Sequence, residues 1–130
     1  MRHYLVDGSN AVRRGSYDPR FPEIEEQRTL EFLCRLNDLA AACGGLFRIE
    51  VFFDGPTRPL IAVDPPVHIR FPIDGYADAA ILGTARSLLA QGKGAVAVTG
   101  DGQLAAQLRE EGAHVIRASE LEARLREDRA

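Results

Sequence analysis

His3-Tyr4-Leu5-Val6-Asp7-Gly8-Ser9-Asn10 is the stretch on which the reading of this chain turns. An apolar run ends in an acid, then a glycine, then two small polar residues. A run such as Tyr4-Leu5-Val6 reads as a buried central strand. An aspartate at the carboxyl end of such a strand stands where open α/β sheets keep their ligand crevice. The same order, apolar strand and then acid, returns in Ile49-Glu50-Val51-Phe52-Phe53-Asp54 and in Ala95-Val96-Ala97-Val98-Thr99-Gly100-Asp101. Three strands that deliver carboxylates to one edge have to be explained together.

Outward from these strands, the pattern alternates. Strand one covers residues 3–7, and a loop through Gly8 to Pro22 carries Arg13, Arg14 and Arg20. Helix one starts after Pro22, with Glu23, Glu25 and Glu26 complementing its dipole. Leu30, Leu33, Leu36 or Asn37, Ala40 and Cys43 form its apolar stripe, and Gly44-Gly45 end it. Strand two spans 48–53. Residues 55–66 hold four of the seven prolines and read as a loop. Strand three, Val67–Phe71, alternates as an edge strand does. Helix two runs from Tyr76 to Gln91, strand four from Ala95 to Thr99, helix three from Gly102 to Glu111 and strand five from His114 to Arg117. Ser119 and Glu122 read as a capping box for a last helix through Arg126. This alternation, with right-handed crossovers, predicts an α/β fold: a mostly parallel sheet with helices on both faces. Residues 1–130 read as a single domain without repeat or linker.

Composition narrows the function classes. With 45% hydrophobic and 27% charged residues the chain reads as globular rather than disordered. Asp7 and Arg13-Arg14 interrupt any signal-peptide core, and no apolar stretch approaches the roughly 20 residues that span a bilayer. The expectation is a cytoplasmic protein. Cys34 and Cys43, nine residues apart in sequence, are about 13 Å apart on a helix, beyond disulfide reach. Both read as small buried apolar residues, and no Cys/His spacing suits zinc. His3, His68 and His114 fall in or beside strands and read as structural. The net charge of −3 argues against a protein that coats nucleic acid, but not against a nuclease whose acids bind metal. Lys93 is the sole lysine among sixteen basic residues, so fifteen are arginines. Arginine suits bidentate phosphate contacts; a coding bias is the plainer account.

Asp78, in the first turn of helix two, opens on the same edge as Asp7, Asp54 and Asp101. Four converging carboxylates repel unless a cation binds, and hard oxygen donors at this density suit Mg²⁺ or Mn²⁺. Such a centre is a usual device for phosphodiester hydrolysis. Each acid has a plainer reading. Asp101 can cap helix three, Asp78 can favour the dipole of helix two, and Asp54 before Gly-Pro can be a turn residue. Asp7 resists such a reading, because the predicted helix after it starts many residues later. Other signatures fail: Ser9 breaks an Asp-x-Asp phosphatase start, and neither a Gly-x-Gly-x-x-Gly loop, a Walker lysine nor a Gly-x-Ser-x-Gly elbow is present.

Val6-Asp7-Gly8-Ser9-Asn10, Val51-Phe52-Phe53-Asp54, Ala77-Asp78-Ala79-Ala80-Ile81 and Val98-Thr99-Gly100-Asp101 resemble, in order and spacing, the NYN branch of the PIN-like nucleases, and within it the bacterial YacP-like group. The resemblance runs from Tyr4 to the final helix. It implies a metal-dependent ribonuclease on a three-layer α/β/α fold with strand order 3-2-1-4-5, leaving 5′-phosphate and 3′-hydroxyl ends. It also implies that Asp7, Asp78 and Asp101 are acidic metal ligands, that Asp54 is the additional acid after strand two, that Asn10 orients a ligand or phosphate, and that Thr99 is the hydroxyl before the last acid. Ser9 departs from the aromatic residue usual there, and Asp74 is the nearest acid to a glutamate often found before the helix-two aspartate. On this reading Arg13, Arg14 and Arg20, with Arg58 in the second loop, hold neighbouring phosphates. The expected partner is single-stranded or looped RNA, with Tyr17 as a stacking candidate. The rival expectation is a non-cutting module that binds RNA, a ribosome or a protein. A toxin of a toxin–antitoxin pair would share the chemistry.

Overall fold

The computed structural model describes residues 2–13 and 18–128. Arg14 and Tyr17 lie outside the described residues. Five strands, β1 (Arg2–Asp7), β2 (Phe47–Phe52), β3 (Val67–Arg70), β4 (Ala95–Val98) and β5 (His114–Ile116), form one parallel sheet in the order β3-β2-β1-β4-β5. The helices are α1 (Gly8–Arg13), α2 (Pro22–Ala41), α3 (Ala77–Ala90), α4 (Gly102–Glu110) and α5 (Ala118–Glu127). Sheet order, parallel pairing and helix placement match the expected architecture, and Val67–Arg70 lies on an edge as its alternation implied.

β1 is central, which accounts for its unbroken apolar run. Tyr4 and Val6 pack into one core with Leu33 and Leu36 of α2 and Leu121 and Leu125 of α5. Leu5, one residue out of phase, packs into the other core with Ile81 of α3 and Leu104 and Leu108 of α4. Both faces are covered, so alternation is invisible in the sequence although it operates in the fold. The same period puts Asp7 on the face of Leu5, the face of α3 and α4.

Four local expectations are corrected. The segment after Asp7, read as a loop, begins with the short helix α1, and its Ala11 and Val12 are buried. Six residues are too few to display a helical period. Ser119 and Glu122 do not form a capping box: Arg117 is the N-cap, without a side-chain hydrogen bond, and Glu122 pairs with Arg35 at 2.8 Å. Cys34 is exposed, whereas Cys43 is buried. Leu30 is 41% exposed and Thr29 is buried in its place, whereas Leu33, Leu36, Ala40 and Cys43 are buried as the stripe required.

α1 packs close against β2, and Gly8 makes this possible. A Cβ there would stand 2.6 Å from the Phe53 ring and 2.9 Å from Val51 Cγ1. Glycine is required by this close approach, not by an unusual backbone angle. Among the described residues no helix is long and apolar enough to cross a membrane.

Candidate active site

The carboxyl ends of β1, β2 and β4 and the amino ends of α3 and α4 meet at one edge of the sheet. Asp7 ends β1 and is 4% exposed. Its Oδ1 accepts from the backbone N–H of Asn10 at 3.3 Å and its Oδ2 from the Thr99 hydroxyl at 3.1 Å. The first bond caps α1, so Asp7 also has the capping role that the sequence reading excluded when it placed no helix directly after it. Burial above all, with Asp78 and Asp54 adding to it and the two hydrogen bonds opposing it, leaves the Asp7 carboxyl raised to about 6. Asp78 is also raised, first by burial and then by Asp101 and Asp54. Acids from four separate segments therefore feel one another across this edge.

Hydrogen bonds tie the edge together. The Thr99 hydroxyl accepts from the backbone N–H of Asp101 at 3.1 Å while donating to Asp7. Asn10 Oδ1 accepts from the backbone N–H of Gly100 at 2.7 Å, latching α1 to the end of β4. A Cβ on Gly100 would meet this oxygen at 3.1 Å, so the latch also depends on a small residue there. Asp101 caps α4 through Oδ1, which accepts from the Leu104 N–H at 2.9 Å. Asp54 Oδ1 accepts from the backbone N–H of Ala77 at 2.9 Å and so caps α3 from a distance; the N-cap residue of α3, Tyr76, supplies no side-chain bond. The Asp54 N–H in turn donates to Ser9 Oγ at 3.0 Å. Capping and convergence thus coexist. Asp54 and Asp101 each use one oxygen on a helix terminus and have a second oxygen on the same edge.

Of the arginines expected to hold phosphates, the described ones, Arg13, Arg20 and Arg58, are already engaged. Arg13 donates from Nε to Glu25 at 2.6 Å, and its Nη1 lies 4.0 Å from Asp54 Oδ2. Arg20 forks onto Asp18, with Nη2 at 2.9 Å. Arg58 pairs with Glu26 at 3.1 Å, donates to the Asp54 carbonyl at 3.3 Å and lies over the rings of Phe53 and Phe71. It clamps the loop after β2 to the rest of the molecule. No signal along the chain announced these pairings, because the dipole of helix one already accounted for Glu25 and Glu26.

Among the described residues no three His, Cys, Asp or Glu side chains stand close enough to enclose an ion between them. The donor chemistry nevertheless suits a hard cation. All four groups are carboxylates, and the two raised ones, Asp7 and Asp78, are those that a positive charge would relieve most. Mg²⁺ keeps several waters and is commonly held by one or two carboxylates rather than by a closed cage.

Two open cavities flank the acids on the β4–β5 side. One, of about 500 Å³, is lined by Asn10, Arg13, Gly100, Arg117 and Ser119. The other, of about 350 Å³, is lined by Thr99, Asp101, Arg109, Arg117 and Glu120 among others.

No family model matches the chain, and no curated protein does. Solved structures do. Rae1 (YacP) from Bacillus subtilis superposes with a TM-score of 0.70 at 22% identity, covering 98% of this chain and 75% of that one. A point mutant of the same protein gives 0.68 at 21%, covering 98% and 77%. The chain has the fold of these YacP structures, and this is the architecture that the resemblance implied.

Proposed function

We propose that this chain is a metal-dependent ribonuclease that hydrolyses RNA phosphodiester bonds, cutting within the strand, at the edge where Asp7, Asp54, Asp78 and Asp101 meet. The observation that carries the reading is Asp7, a carboxylate buried at the end of the central strand beside other acids, with its pKa driven up to about 6. Burial and like charge destabilise such a group in the absence of a counter-charge. Strongly perturbed acids with a specific charge environment are candidates for chemistry. The fold shared with Rae1 (YacP) supports the same reading.

Asp7 and Asp78 are the residues that would hold Mg²⁺ or Mn²⁺, with Asp101 and Asp54 completing the negative shell. A divalent ion bound there supplies Lewis acidity, lowering the pKa of a water and offsetting charge on phosphate oxygens. The chain's own residues set the stage. Thr99 keeps Oδ2 of Asp7 in place, and its bond from the Asp101 N–H couples the two acids geometrically. Asn10 latches α1 to Gly100, which ties the start of α1 to the end of β4. Burial of Asp7 keeps bulk water from one side of the site.

The test is cleavage of a fluorescent RNA in Mn²⁺ and in Mg²⁺ by the parent chain, Asp7→Asn and Asp101→Asn. Metal-dependent cleavage by the parent, lost in both variants, is expected. Equal cleavage by all three rejects the assignment. A second reading, an RNA- or ribosome-binding module with little or no turnover, is favoured by one observation: Asp54 and Asp101 each already cap a helix. Binding of RNA by the parent without turnover in either metal selects that reading.

A further inference from the structure

An RNA backbone approaching four carboxylates meets repulsion, and one bound ion neutralises only the phosphate at the centre. Cations must therefore hold the flanking phosphates. Arg13, Arg20 and Arg58 are committed to Glu25, Asp18 and Glu26. The same holds across most of the surface: Arg2, Arg35, Arg48, Arg70, Arg86 and Arg124 are all in ion pairs. Arg28 and Arg126 have partners as well. Among the described residues the arginines whose side chains enter no ion pair or hydrogen bond are Arg109 and Arg117, and both are exposed.

These two line one groove. Arg117 lines both cavities beside the acids, and Arg109 lines the second, together with Asp101 and Thr99. Glu120, the acid on the rim, is paired with Arg124 at 3.0 Å, which leaves the charge of Arg117 uncompensated. The groove runs between α4 and α5 over β5, an edge strand of the sheet. Arg109 lies seven residues along α4 from Gly102, about 10 Å from the acidic end of that helix. Arg109 also suits the carboxyl end of α4 electrostatically, a favourable role that needs no ligand. Arg117 has no such role.

We propose that the groove from Asn10 and Gly100 past Arg117 to Arg109 seats backbone phosphates of a single-stranded RNA next to the one at the acids. The inference takes its direction from the nuclease reading and is tested apart from it. Binding of a fluorescein-labelled, unstructured oligoribonucleotide is followed by anisotropy in EDTA across a salt series, with the parent, Arg109→Ala, Arg117→Ala, the double variant and Arg117→Glu. Arg2→Ala, at the far end of β1, is the control, and circular dichroism confirms that each variant is folded. Each alanine variant weakens binding by roughly three- to tenfold, and Arg117→Glu weakens it further. In the double variant the slope of log K against log salt falls by about 1.4, since each lost contact to a single strand removes about 0.7. Parental affinity and slope in the double variant, or no RNA binding by the parent, overturns the proposal. Cleavage in Mn²⁺ is measured alongside. Binding that depends on both arginines without cleavage refutes the nuclease and leaves the groove; cleavage with unchanged binding in the variants refutes the groove and leaves the nuclease.

Discussion

Replacing Asp7 with asparagine should stabilise the metal-free protein at neutral pH while removing its activity. The carboxyl has its pKa at about 6 in the fold against an ordinary value of 3.8. The folded state thus holds this proton more tightly than the unfolded chain does. The stability contributed by the protonated group is complete below about pH 4 and is lost as pH rises through about 6. At about 1.4 kcal/mol per pH unit, the interval corresponds to about 3 kcal/mol by pH 7.5. The substituted asparagine avoids that penalty. Its carbonyl can accept from Asn10, and its amide can donate to Thr99 Oγ1 once that hydroxyl turns, so we expect roughly 1–3 kcal/mol of net gain at pH 7.5. The assay is urea unfolding in EDTA at several pH values, followed by far-ultraviolet circular dichroism because the chain has no tryptophan. The difference between variant and parent isolates Asp7 from the other acids. It should be close to zero at pH 4 and grow to its full value by pH 7. Saturating Mn²⁺ should then raise the parent more than the variant, by about 2.7 kcal/mol at a hundredfold excess over Kd. A variant no more stable than the parent at pH 7.5, or a difference that does not change with pH, would refute the claim that Asp7 is held charged at a cost.

The other substitutions separate structural from chemical duties. Asp101→Asn keeps the cap on α4 and should leave stability within about 0.5 kcal/mol, whereas Asp101→Ala should lose about 1 kcal/mol in the same unfolding assay. Gly8→Ala forces a methyl against Phe53 and Val51 and should cost about 1–3 kcal/mol, read as a lower urea midpoint at unchanged slope. Arg58→Ala should lower stability by about 1 kcal/mol, through lost contact with Phe53 and Phe71, while leaving RNA affinity near the parental value. A large loss of affinity with unchanged stability would return Arg58 to the phosphate-holding role read from the sequence.

The β1 stretch contained most of the fold. Tyr4-Leu5-Val6 is apolar on both faces because the strand is central, and that leaves a parallel sheet covered on both sides as the consistent solution. Order and spacing of the four acidic segments, set against a known family, supplied the strand order. Asp7 was singled out on a premise that the structure removes: α1 begins at Gly8, and the Asn10 N–H in its first turn donates to Asp7. What does set Asp7 apart is its burial beside Asp54 and Asp78, which only the fold creates. α1 was missed because six residues hold less than two turns. The first member of the α2 stripe was misassigned because Leu30 and Thr29 differ by only one position, and packing rather than hydrophobicity selects between them.

The elements, their order and the edge at which Asp7, Asp54, Asp78 and Asp101 end could be read along the chain, since period and turn residues are local properties that propagate through connection rules. How each charge is used became fixed when the chain packed in three dimensions. Glu25 and Glu26 lie 12 and 32 residues from the arginines they neutralise. Asp54 caps a helix that starts 23 residues later. Arg109 and Arg117 are left uncommitted by what the fold places, or does not place, around them. Charge pairing acts over a few ångströms through space, and nothing along the chain records which charges the folded backbone will bring within that range.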